Sequence, residues 1–228
     1  MQMNNGLQIL YTLIVVSTLS IASVIFSKVS NNNKLVATLV LYFSICLIVA
    51  LTKLSWTNVG LSKDLVLKGA VTALPFMAVV IVGGLIVFLI NPETFKDSRY
   101  QTDLKTMLTT IFLVLPLMTV ILEELAFRGL LFGTLSTYLT QGYALLVSSI
   151  SFGVWHIFSA SNLDVSGIVS GNAIPKVLIV LTVVIATSIA GAFFTWLRIK
   201  SGSLIAPILL HWTINSTGVV LAYFAWSK

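Results

Sequence analysis

The chain has 228 residues, of which 57% are hydrophobic and only 9% charged, and its formal net charge is +6. A soluble domain carries roughly 25% charged residues, so this chain cannot cover a water-facing surface, and an all-α, polytopic membrane helix bundle follows. Its Lys and Arg residues sit mostly in short stretches between apolar runs, with no basic patch interleaved with aromatics; that excludes nucleic acid as a partner and fits contact with the lipid bilayer.

A bilayer core takes about 20 apolar residues per helix, and about seven such windows occur. The first runs from Leu7 to Ser27, with no basic region ahead of it, and reads as a retained membrane helix rather than a signal peptide. The second covers Leu35 to Thr52 and contains Cys46, expected to pack as a small hydrophobe. Ser55 to Lys68 is a polar segment suited to the interface, and Gly69 to Ile90 forms the third span, with Pro75 inside it. The longest polar loop, Asn91 to Lys105, precedes a fourth span from Thr106 to Glu124, which runs on into an amphipathic stretch ending near Gly142. The fifth covers Tyr143 to Phe158, followed by a loop with Asp164. The sixth, Lys176 to Leu197, is ended by Arg198 and Lys200, and the seventh is Leu204 to Trp226. The two possible orientations place almost equal numbers of Lys and Arg inside, so the positive-inside bias selects neither.

A charge at the centre of a membrane helix costs about 2.5–3.5 kcal/mol, so polar residues kept there point to function. Three places hold them. Glu123 and Glu124 close the fourth apolar run, and Arg128 stands four residues after Glu124, a spacing that lets the two pair on one helix face while Glu123 points about 100° away. His156 closes the stretch Phe152-Gly153-Val154-Trp155-His156, and His211 and Asn215 share a face of the last span. Each alone has a bland explanation: an interfacial ion pair, a packed histidine, interhelical hydrogen bonding. Together they form a hydrolytic set, in which a carboxylate and an imidazole deprotonate water and a second imidazole and an amide hold an oxyanion, each such donor contributing about 2.7–4 kcal/mol.

These motifs, EExxxR, FxxxH and HxxxN in this order, with EELAFRGLLFG and SGSLIAPILLHWTIN around them, resemble the CPBP family of intramembrane proteases, which includes the type II CAAX-prenyl endopeptidases and the bacterial Abi proteins. The strong likeness covers about Leu115 to Val219, and TNVGLSK is a weaker match. The resemblance implies an N-terminal helical part, 1–105, and a protease core, 106–228, with the active site in the last four helices. It implies that Glu123 and His156 activate the water, that His211 and Asn215 form the oxyanion hole, and that Glu124, Arg128 and Phe152 support the site. No cofactor is favoured; the alternative is Zn held by Glu123, His156 and His211. The expected partner is a peptide or membrane-associated protein substrate, prenylated or not, and the expected setting a bacterial cell membrane. No HExxH, GxGD or GxSxG motif points to another protease class. A non-catalytic protein of the same fold, such as a bacteriocin immunity factor, is the alternative. Transport through a proton relay is disfavoured by the near absence of polar residues in the first three spans.

Overall fold

The computed structural model describes residues 5–30, 33–52, 54–161 and 175–227. Their elements are α1 (Asn5–Lys28), α2 (Lys34–Thr52), a single-turn α3 (Trp56–Val59), α4 (Val66–Ile90), α5 (Leu104–Leu135), α6 (Gln141–Trp155), a short α7 (Ile157–Ser161), α8 (Lys176–Ser201) and α9 (Ile205–Trp226). Among the described residues seven helices are long and apolar enough to cross a membrane, and there is no strand. The loop expected to carry Asp164 lies outside the described residues.

Large apolar side chains cover the outer faces of these helices, with Phe43 69%, Leu89 78% and Ile90 78% exposed. Such a surface is inadmissible in water and ordinary against lipid tails. Cys46 lies on it, so it faces outward instead of packing inside the bundle. The core gathers around the second half of α5, where Leu122, Ala126, Phe127, Leu130, Leu131 and Leu135 meet Val15 and Leu19 of α1, Leu41 and Ile45 of α2, Phe152 of α6 and Phe194 of α8. Here the structure corrects the sequence reading. The fourth span does not end at Glu124 and continue as an amphipathic stretch; it is one helix to Leu135, and residues 126–135 are buried on every side because α1, α2 and the α6–α8 pair enclose them.

Wide π-helical turns interrupt α5 at Thr110–Val114, Pro116–Val120 and Leu125–Leu131, leaving Ile121–Glu124 as a single α turn between them. Pro116 has no N–H to offer the Ile111 carbonyl in the i→i+5 register, and the indole of Trp212 donates to that oxygen instead, at 2.8 Å. The Tyr42 hydroxyl likewise donates to the Leu117 carbonyl at 2.8 Å, and that of Ser148 to the Phe127 carbonyl at 2.9 Å. Neighbouring helices thus satisfy a backbone that a lipid-exposed helix could not leave open.

α6 packs along α8, and α4 along α9. The first pair approaches so closely at Gly153 that a Cβ there would lie 2.6 Å from the Val184 carbonyl and collide with Ser188. α8 runs four residues past its expected end, because Arg198 and Lys200 continue the helix until Gly202, at φ 75°, stops it. On the opposite side of the bundle, the 91–103 segment forms two short turns, Pro92–Phe95 and Ser98–Tyr100, and the Trp226 indole donates to the Asp97 carbonyl at 3.0 Å. α5 begins at Leu104, so Lys105 belongs to the helix and not to this loop.

Candidate active site

The single α turn Ile121–Glu124 sends its two carboxylates in different directions. Glu124 and Arg128 are both wholly buried, and the guanidinium donates to Glu124 Oε1 from Nη1 at 3.1 Å. The Arg128 guanidinium lies over the rings of Phe152 and Phe194, at 4.0 and 5.1 Å from their centres, where the ring faces favour a cation. The sequence spacing predicted this pairing, but the pair belongs to the interior of the bundle and not to a helix end at the interface.

His211 stands on the other side of the same oxygen. Its Nδ1 lies 2.8 Å from Glu124 Oε1, and its ring stacks on Phe194. With Nδ1 donating to the carboxylate, Nε2 is turned toward Glu123, 4.0 Å from Oε2. That gap is too long for a direct hydrogen bond.

Glu123 is 8% exposed, and its Oε1 accepts from the indole of Trp155 at 3.1 Å, while Oε2 is buried with no partner. Trp155 was not among the residues singled out from the sequence. It lies one position before His156, and its bond docks the end of α6 against the carboxylate.

His156 is half-buried and occupies the break between α6 and α7. Its Nδ1 lies 2.7 Å from the Phe152 carbonyl. A carbonyl oxygen only accepts, so Nδ1 carries the proton, and among the described residues Nε2 meets no hydrogen-bond partner. Phe152 packs edge-on to the His156 and His211 rings, at 4.6 and 6.1 Å between centres, while its face covers Arg128. It is thus the common wall of the cluster.

Asn215, one helical turn beyond His211, lines a cavity of about 440 Å³ with Thr119, Asp97, Arg99 and Tyr100. Thr119 stands one turn before Glu123, so the cavity approaches the cluster from the side of the 91–103 segment. The Arg99 guanidinium hydrogen-bonds Asp97 and holds its carboxyl below the usual carboxylate range. A second cavity, of about 290 Å³ and lined by Val16, Leu19, Phe127, Val154, Trp155 and Phe158, reaches Trp155 between α1 and α6. Among the described residues no group of three or more His, Cys, Asp or Glu side chains is placed to hold a metal ion.

Helices that fit a bilayer, closed around buried carboxylates, a guanidinium and imidazoles, define a multi-pass integral membrane protein with a polar centre. A family model for the Type II CAAX prenyl endopeptidase Rce1-like proteins matches residues 105–217, which include every residue of the cluster. Over those residues the chain is similar to this endopeptidase family, in keeping with the CPBP resemblance of its motifs. The segment TNVGLSK lies outside the matched residues. No curated protein and no solved structure matches the chain.

Proposed function

We propose that the chain is an intramembrane endopeptidase that hydrolyses a peptide bond with water activated by Glu123 and His156. The observation that carries this reading is the state of Glu123: one carboxylate oxygen is held by Trp155 while the other is buried without a partner, facing the His211 ring. A buried acceptor in that state favours a hydrogen-bonding guest such as water. The free Nε2 of His156 supplies a second acceptor at the end of α6.

In this scheme Glu123 and His156 share the proton leaving the water, and the hydroxide attacks the scissile carbonyl. His211 and the Asn215 amide donate to the oxyanion that forms. For His211 to donate from Nε2 the ring must carry a proton on both nitrogens, and Glu124 accepts the one on Nδ1. Arg128 fixes Glu124, and Phe152 keeps both imidazoles in register. The resting proton then returns to the leaving amine. No metal enters any step.

The substrate we propose is a peptide or membrane-associated protein, prenylated ones included. The polar cavity at Asn215 suits a peptide entering from the 91–103 side, and the apolar one at Trp155 suits an aliphatic group entering from lipid. The test is peptide cleavage by purified protein in detergent. Glu123→Ala and His156→Ala should abolish cleavage while melting as cooperatively as the wild type. Wild-type rates in either variant would remove water activation from that residue.

A further inference from the structure

A second charged side chain is buried near the C-terminal end of α8, one turn beyond the Phe194 that packs on the carboxylate cluster. Arg198 is 6% exposed. Its Nη2 donates to the carbonyls of Thr57 and Asn58, at 2.9 and 3.0 Å, and so closes the C-terminal end of α3. Gly60, at φ 87°, lies directly on the guanidinium, and any side chain there would collide with it. Two neutral carbonyls do not cancel the positive charge. Among the described residues Arg198 forms no ion pair, and its Nε has no acceptor.

The guanidinium borders a cavity of about 300 Å³ whose lining is largely polar and includes Thr57, Asn58, Ser136, Thr137 and Gln141, with no Asp or Glu among the lining residues. Gln141 opens α6, a helix of 15 residues. Thr140 precedes it without capping through its side chain, and the first turn holds no acidic residue. The first N–H groups of α6 therefore lack an intrahelical acceptor, at the end of the helix where its dipole is positive. A buried guanidinium without a counter-ion and the first residue of an uncapped helix open on one cavity, with no Asp or Glu among its described lining residues.

We propose that this cavity is a binding site for a phosphate group, held by Arg198 and the first turn of α6. α6 begins and α8 ends at the same face of the bundle, so the phosphate can come from the headgroup of an anionic lipid in that leaflet or from a free phosphate anion. Helix N-termini and arginine side chains hold phosphate by the same hydrogen-bond geometry.

The site is tested on the full-length protein in detergent, by thermal melting against phosphatidylglycerol, a diacylglycerol with the same chains, and inorganic phosphate at matched ionic strength. Phosphatidylglycerol should raise the melting temperature saturably and diacylglycerol should not. A matching rise with inorganic phosphate identifies the free anion as sufficient; its absence identifies the lipid headgroup. Arg198→Gln removes the guanidinium. Because that variant also uncaps α3, Ser136→Glu serves as a second one, placing a carboxylate at an exposed edge of the cavity, at the end of α5 where the backbone N–H of residue 136 and not its side chain caps the helix. Each variant should raise the phosphate concentration needed for half of the rise about tenfold or more, Arg198→Gln by the loss of a charge-assisted hydrogen bond and Ser136→Glu by repulsion of the anion. Equal responses to phosphatidylglycerol and diacylglycerol with none to phosphate, or a wild-type response in Ser136→Glu, would overturn the proposal.

Discussion

Replacing Arg128 with Ala should be the most destabilising single change in the cluster. The side chain is fully buried, and its loss leaves the Glu124 carboxylate, itself fully buried, with His211 Nδ1 as its remaining donor. Breaking a buried ion pair from one side costs about 3–5 kcal/mol, because the remaining charge keeps its desolvation penalty without its partner. In a chain of this size each kcal/mol lowers the melting temperature by about 2–4 °C, so a fall of roughly 6–20 °C is expected. Tryptophan fluorescence on heating in detergent measures it, since Trp155 and Trp212 report on the two sides of the site. The double variant Glu124→Gln with Arg128→Met removes both charges and keeps the volume filled, and should recover much of the loss. Melting of Arg128→Ala together with the wild type would refute the argument. A double variant as unstable as the single one would show that the loss comes from packing over Phe152 and Phe194 instead of an orphaned charge.

Trp155→Phe keeps the ring and removes the donor to Glu123; turnover should fall roughly 10–100-fold with KM little changed, as expected for a hydrogen bond to a charged group. Asn215→Ala should lower turnover by about 10²–10³, the loss of one oxyanion donor, without altering metal content. Strong chelators should leave wild-type cleavage intact; stoichiometric zinc lost with activity and restored on adding it back would reassign both histidines as ligands. The Asp97–Arg99 pair, with the Asp97 carboxyl lowered by its bond to Arg99, stabilises the 91–103 segment above the unfolded value of about 3.9. That contribution is lost as pH falls through the lower folded value, so hydrogen exchange in the segment should rise only in strongly acidic buffer, and a rise already near neutrality would contradict it.

The spans were legible because a bilayer demands long apolar windows, and each of the seven left one. The Glu124–Arg128 pair was legible because i, i+4 spacing survives the wide turn that follows it. The extent of α5 was not: Arg128 and Thr134 look like the polar face of a surface helix until α1, α2 and the α6–α8 pair are seen to cover them. Trp155 was invisible for a related reason. An indole in an apolar helix carries no periodic signal, and its partner Glu123 lies 32 residues earlier. The bond from His211 to Glu124 spans 87 residues, and no local pattern announces it. Arg198 looked like a stop signal because a basic residue in the last turn usually is one; only the α3 turn folding back over it makes it interior.

The close approach at Gly153 has a practical consequence for anyone redesigning this molecule. It sets the distance between α6 and α8, and so the height at which the α6–α7 break presents His156. Enlarging position 153 would push α6 away from α8 and so shift the imidazole without touching His156 itself. Gly83 and Gly218, by contrast, have nothing within 4 Å of an added Cβ. Gly218 borders the Asn215 cavity, so a spectroscopic label attached there would test the proposed entry of a peptide without disturbing the spacing of the helices.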